Sequence, residues 1–143
     1  MWLRTRFVRV IALALPVILC LASSTLAATV TFRAELKGAN VVPANQQPGR
    51  GILTATYDTV SRRLTWTGTY SGLSKKITGI HFHSPARPNE SAGVVLSIER
   101  VSRGAATLSD AQAADLIAGY WYVDIHTRAY PRGEIRGQVM KGN

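Results

Sequence analysis

Cysteine is almost absent from this sequence. The one cysteine among its 143 residues is Cys20, which lies in an apolar stretch near the N-terminus. The disulfide framework on which many small exported domains rely is therefore excluded within the chain. Redox chemistry by a pair of thiols is excluded as well, and the remainder of the chain must be stabilised by packing and hydrogen bonds.

No apolar run is long enough to cross a membrane. The run Val10–Ala22 has 13 residues, whereas a spanning helix needs about 20. Basic residues precede this run and small residues follow it, which is typical of a signal peptide over residues 1–27, cleaved between Ala27 and Ala28. Lipid attachment at Cys20 is disfavoured because the bulky Leu19 precedes it. We predict export to the periplasm or the medium, without a stable membrane anchor after cleavage.

Acidic residues are scarce. The chain has 8 Asp and Glu against 17 Lys and Arg, a formal charge of +9. Without the three arginines of the predicted signal peptide, the domain of residues 28–143 carries about +6, which favours anionic partners such as acidic glycans or other envelope components. The basic residues are scattered and no nucleic-acid motif accompanies them, so we predict that the protein does not bind nucleic acid.

Short alternating segments predict an antiparallel all-β domain. Val30–Leu36, for example, places apolar residues on one face and polar residues on the other. The only good helix is Asp110–Ala118, with Ser109 as N-cap and Gln112 as its capping-box partner. Seven short strands with Gly and Pro between them indicate a sandwich or barrel; they are Val30–Leu36, Ile52–Tyr57, Leu64–Tyr70, Ile77–His83, Val94–Val101, Tyr120–Thr127 and Glu134–Met140.

All three histidines lie in predicted strands. His81 and His83 are two residues apart and therefore project from one face of their strand, and His126 shares a face with Asp124. If the last two strands form a hairpin, their polar faces lie on the same side of the sheet. That polar group consists of Tyr122, Asp124, His126, Glu134, Arg136 and Gln138.

Two interpretations of these residues remain open. In the first, His81, His83 and His126 bind copper or zinc, the metals that imidazole-rich sites suit, and Asp124 or Glu134 orients a ligand. In the second, the same side chains form a hydrogen-bonded network that fixes strand register. The positive charge of Arg136 argues against a metal. No nucleophile motif, pair of converging acids or phosphate loop supports a catalytic site.

The chain also resembles a known family, the CHRD domain, from about Phe32 to Val139. Of the motifs that carry the resemblance, Tyr122–Thr127 and Pro131–Gln138 are together the most specific. The others are Phe32–Gly38, Val42–Pro43 and Gly79–Ala86. The chain departs from the family pattern at Val41, where a glutamate is usual, at Asp124, where asparagine is common, and at Ser84, where glycine is common.

The resemblance implies an immunoglobulin-like β-sandwich of about seven to nine strands in an extracellular or envelope location, and it implies no established catalysis. The leading hypothesis is therefore a non-enzymatic, exported binding or envelope module with a mainly structural histidine group. The alternative is a copper- or zinc-binding protein that uses the strand histidines, with or without redox activity. A third hypothesis is binding of anionic glycans by the basic surface.

Overall fold

Residues 28–142 are described by a computed structural model. The predicted signal peptide, residues 1–27, lies outside the described residues. Within residues 28–142, no helix combines the length and the apolar character needed to cross a membrane.

Eight strands and one α-helix make up the described part of the chain. In chain order the elements are β1 (Thr29–Lys37), β2 (Arg50–Asp58), β3 (Arg63–Ser71), β4 (Ile77–His83), β5 (Val94–Ser97), β6 (Arg103–Thr107), α1 (Asp110–Ile117), β7 (Trp121–Thr127) and β8 (Ile135–Lys141). The prediction of an antiparallel all-β domain with one short helix is confirmed.

The strands form one antiparallel sheet in the order β5-β4-β7-β8-β1-β2-β3-β6. The sheet curls and brings strands near its two ends together. Trp66 of β3 packs against Phe82 of β4, with ring centroids 5.5 Å apart. Phe82 also packs against Trp121 of β7, again at 5.5 Å. The apolar faces of the strands enclose the core, and the two layers of this sandwich-like fold belong to a single sheet.

The segment predicted as one strand, Val94–Val101, is divided in the structure. Strand β5 ends at Ser97, and the chain then crosses to the opposite end of the sheet with Ile98 and Val101 buried. Nothing in the sequence pattern predicts β6, since Gly and Ala have low β propensity. Gly104 has a packing reason instead, because a Cβ at this position would clash with the indole of Trp66.

Helix α1 begins as its sequence predicts. The Ser109 side chain accepts a hydrogen bond from the Gln112 amide, and the Gln112 side chain accepts one from the Ser109 amide. We expect Ser109→Ala to lower the free energy of unfolding by about 1 kcal/mol, because the first-turn amide loses its partner. Urea unfolding measures this change, and Ser102→Ala, at another exposed serine, should leave stability within about 0.5 kcal/mol. Equal stabilities of the two variants would contradict the capping role.

Candidate metal centre

The pairing of β4 with β7 brings the three histidines together. His81 is directly opposite Asp124, and β7 also carries His126, which lies opposite Gly79. The absence of a side chain at Gly79 makes room for the His81 ring, since a Cβ there would lie 2.8 Å from its Cε1 atom. We call His81, His83, Asp124 and His126 the histidine cluster. One ligand atom from each of these four residues lies within 4.8 Å of every other.

Asp124 lies at the centre of the histidine cluster. Its Oδ1 atom is 2.9 Å from Nε2 of His126, 3.1 Å from Nε2 of His83 and 4.0 Å from Nδ1 of His81. The side chains of Asp124 and His83 are almost fully buried, whereas 27% of the His81 side chain and 14% of the His126 side chain are exposed. The cluster therefore opens to solvent on the side of His81 and His126.

The other ring nitrogens of two histidines are held by backbone carbonyls. Nδ1 of His83 is 2.9 Å from the carbonyl oxygen of Ala92, and Nδ1 of His126 is 2.9 Å from that of Pro131. A carbonyl oxygen only accepts, so both Nδ1 atoms carry the proton. In a neutral imidazole Nε2 is then unprotonated, and its lone pair points at a carboxylate oxygen of Asp124.

Two lone-pair nitrogens facing one carboxylate oxygen repel it unless a positive charge lies between them. That charge comes either from a second proton on each ring or from a cation bound by all three atoms. Nδ1 of His81 favours the cation, because it is buried and has no hydrogen-bond partner among the described residues. An imidazole whose far nitrogen donates to a carbonyl is also the usual arrangement of a metal ligand.

The spacing of the ligand atoms is compatible with zinc or copper. Zinc binds imidazole nitrogen at about 2.0–2.1 Å, so two ligands of a tetrahedral ion lie about 3.3 Å apart. The distances of 2.9 and 3.1 Å from Asp124 to His126 and His83 are close to this value. The four ligand atoms lie within 4.8 Å of one another, so the wider pairs, including His81 with Asp124 at 4.0 Å, must close by up to about 1.5 Å to reach the tetrahedral spacing.

The ionisation of the cluster also suits a cation. Burial lowers the pKa of His81 below its ordinary value, and His126 lowers it further, so the His81 ring is neutral near pH 7. Burial alone would raise the pKa of Asp124, but hydrogen bonds with His126 and His83 outweigh it, and the pKa stays below the ordinary value. The hydrogen bond with Asp124 raises the pKa of His126. Asp124 is thus an anion that attracts either protons or a metal.

Tyr122 and Arg136 border the cluster. The Tyr122 ring is stacked on His83 at 4.5 Å, and its hydroxyl donates to the carbonyl of Ala92. The Arg136 guanidinium lies over the Tyr122 ring, 3.5 Å from its centroid. Arg136 makes no ion pair within 4.0 Å among residues 28–142, although it is directly opposite Asp124 on β8. The guanidinium thus interacts with the Tyr122 ring instead of with Asp124. This weakens the earlier argument that the positive charge of Arg136 disfavours a metal.

Glu134 and Gln138 lie apart from the ligand atoms. Glu134 accepts hydrogen bonds from Ser74 and Thr127 instead of contacting a histidine. Gln138 donates to the carbonyls of Ala86 and Gly119. Of the two acids considered for orienting a ligand, only Asp124 reaches the histidines, and its position makes it a candidate ligand itself.

Sequence reasoning missed the two carbonyls that orient the rings. Ala92 and Pro131 act through their backbones, so their side chains give no signal. Both belong to loops rich in Gly and Pro, Ser84–Gly93 and Arg128–Gly133, which fold over the polar ends of β4 and β7. The spacing of two residues within a strand predicts which histidine rings share a face. The carbonyls that accept their hydrogen bonds come from the folded loops, which this spacing does not predict.

Comparison with protein families identifies the chain. A family model described as the CHRD domain matches residues 32–139, and the chain therefore belongs to this family. No curated protein and no solved structure matches it. The matched segment contains the whole histidine cluster together with Tyr122, Glu134, Arg136 and Gln138.

Proposed function

We propose that this CHRD-domain protein is an exported binding module whose ligand is a copper or zinc ion held by the histidine cluster. One observation carries the proposal. His83 and His126 each donate from Nδ1 to a backbone carbonyl and turn Nε2 toward Asp124, while Nδ1 of His81 is buried in the same group and has no hydrogen-bond partner in the part of the chain that the structure describes. An ion bonded to these atoms would replace the repulsion between their lone pairs with attraction.

The donor set limits the choice of metal. Three imidazoles and one carboxylate suit zinc and copper(II) better than magnesium or calcium, which prefer oxygen ligands. Affinity for such sites rises from zinc to copper(II). The exposed edges of His81 and His126 leave the ion accessible from solvent. Asp124 would neutralise one of its two positive charges, and the carbonyls of Ala92 and Pro131 would hold two rings in the binding tautomer.

Metal analysis tests the proposal directly. Protein recovered from the compartment to which it is exported should contain close to one copper or zinc per chain, and chelation followed by readdition should restore the metal. Bound metal should also raise the melting temperature, since a ligand at 100 times its Kd adds about 2.7 kcal/mol of stability. If the protein is recovered without metal and neither copper nor zinc raises its melting temperature, the proposal is wrong. The histidine cluster would then be a structural hydrogen-bonded network.

The same preparation tests export. Removal of residues 1–27 predicts a mature chain that begins at Ala28, which intact-mass measurement detects. A full-length chain retained inside the cell would contradict export. It would not affect the proposal of metal binding, which the metal analysis tests separately.

His81→Ala should weaken metal binding at least tenfold and leave the fold intact. His81 is the most exposed of the three histidines, and its Nδ1 makes no hydrogen bond that the substitution would break. Competition titration with a zinc chelator measures the affinity. Ser97→Ala is the control, because Ser97 is exposed and directly opposite His81 on β5. An unchanged affinity in His81→Ala would exclude His81 as a ligand.

A further inference from the structure

A small cavity that contains the Arg136 side chain lies on the same face of the sheet as the histidine cluster. It has a volume of about 230 Å³ and is lined by Asn40, Pro88, Asn89, Arg136 and Gln138. Arg136 and Gln138 are neighbours along β8, Asn40 belongs to the turn after β1, and residues 88 and 89 come from the loop between β4 and β5. Three separate parts of the chain therefore form its wall.

Arg136 is a buried cation that no carboxylate neutralises directly within residues 28–142. Only 4% of the residue is exposed, and no carboxylate of this segment lies within 4.0 Å of its guanidinium. Its hydrogen bond from Nη2 to the carbonyl of Arg87 is long, at 3.4 Å. A guanidinium has five N–H donors, and buried charges are ordinarily paired.

The Tyr122 ring offsets only part of this cost. Its face attracts the guanidinium from 3.5 Å, yet a ring face does not accept the in-plane N–H bonds that a guanidinium offers to carboxylate or phosphate oxygens. Since Arg136 lines the cavity, the cavity is the space in which these donors can meet an acceptor. Burial also lowers the pKa of Arg136, as expected for a cation short of partners.

The wall around Arg136 is held in place before any ligand arrives. Nε2 of Gln138 donates to the carbonyls of Ala86 at 2.7 Å and Gly119 at 2.8 Å. Nδ2 of Asn40 donates to the carbonyl of Glu35 at 3.2 Å. The cavity is smaller than the roughly 300–1,000 Å³ of drug-sized ligand pockets, so it suits a small ligand or a single small group of a larger one.

We infer that Arg136, with the side-chain amides of Asn40 and Asn89, forms a binding site for a small oxyanion, a carboxylate or a phosphate. Gln138 shapes the wall of this site but does not donate to the anion, because its Nε2 already donates to two carbonyls. The site does not depend on the proposed metal, because none of its lining residues belongs to the histidine cluster. Tyr122 contacts both Arg136 and His83, so it is the side chain through which the two sites touch.

Anion titration of the metal-free mature protein tests the inference. Acetate and inorganic phosphate are added separately in buffer of low chloride content, and binding is followed by calorimetry or NMR. We expect saturable binding of at least one of them, and the stronger of the two identifies the site as one for carboxylates or for phosphates. Because metal is absent, the result is independent of whether the histidine cluster binds an ion.

Two variants locate the binding. Arg136→Lys keeps the charge but loses the planar fork and should weaken binding at least tenfold, whereas Arg33→Lys, on the exposed face of β1, should not change it. Asn89→Asp keeps the size of an exposed side chain, places a carboxylate beside the cavity and should weaken binding even if Arg136→Lys fails to fold. Absence of saturable binding in the wild type, or wild-type affinity in Asn89→Asp, would overturn the site.

Discussion

Replacing Glu134 with alanine is expected to lower the free energy of unfolding by about 3 kcal/mol, because three donors, one of them the hydroxyl of the buried Thr127, lose a charged acceptor. Glu134 is fully buried. Its Oε1 accepts from the Ser74 amide at 2.7 Å, and its Oε2 accepts from the hydroxyls of Ser74 at 2.8 Å and Thr127 at 2.6 Å. The carboxylate thereby ties the segment after β3 to the end of β7. Urea unfolding of the metal-free protein measures the loss.

The comparison with glutamine separates charge from shape. Glu134→Gln retains one oxygen acceptor and should cost about half as much as alanine, since hydrogen bonds to a charged group are stronger than neutral ones. Glu99→Ala removes an exposed glutamate and should change stability by less than about 0.5 kcal/mol. If Glu134→Ala were as stable as Glu99→Ala, the three hydrogen bonds would contribute nothing to folding.

The position of Glu134 shows where alternation stops being informative. The period of two predicts that Glu134 and Arg136 lie on the polar face of the last strand. The prediction is correct for Arg136, which is directly opposite Asp124. Strand β8 begins only at Ile135, however, and Glu134 still belongs to the turn that connects it with β7. In a turn the side-chain direction follows local backbone angles, and Glu134 is directed to Thr127 instead.

The histidine cluster was only half predictable. Spacing alone places His81 with His83 on one face, and Asp124 with His126 on another, because neighbours two apart in a strand share a face. Their meeting requires β4 to pair with β7, a contact between segments about 40 residues apart that no local pattern encodes. The loops that cover the polar face bury Tyr122 and Asp124, whereas the hydrophobic pattern suggests an exposed surface.

Asp124→Asn should weaken zinc and copper binding about 100-fold, a loss of about 2.8 kcal/mol at about 1.4 kcal/mol per tenfold. Asparagine has the size of aspartate but lacks the charge that offsets the ion. The metal-free variant at pH 8 should nevertheless keep the wild-type free energy of unfolding within about 1 kcal/mol, because the new amide donates to one of the Nε2 atoms that face residue 124. Competition titration and urea unfolding measure the two quantities.

The control for this substitution is Asp110→Asn, at an aspartate whose side chain is 88% exposed. It should leave metal affinity unchanged and lower stability by no more than about 1 kcal/mol, since it removes only an exposed ion pair with Arg62 and a charge in the first turn of α1. A purely structural network predicts the reverse pattern for Asp124→Asn. If no metal binds, the substitution would remove the buried carboxylate that the histidines share and cost about 3–5 kcal/mol in the free energy of unfolding, and neither the wild type nor the variant would bind zinc or copper.

The pH dependence of the stability of the metal-free protein distinguishes between these two outcomes. The hydrogen bond with Asp124 raises the folded-state pKa of His126, so its stabilising contribution is fully present below the unfolded pKa of about 6.5. The contribution is lost as the pH rises through the raised folded-state pKa. Asp124→Asn should therefore destabilise the metal-free protein at pH 5, and this loss of stability should shrink as the pH rises toward 8 and the wild-type His126 loses its second proton. Metal affinity follows the opposite course and rises over the same interval, because the ion and the protons compete for the same ring nitrogens. A loss of stability that does not shrink between pH 5 and pH 8 would mean that Asp124 stabilises the metal-free cluster independently of the His126 proton, as a structural network without a metal predicts.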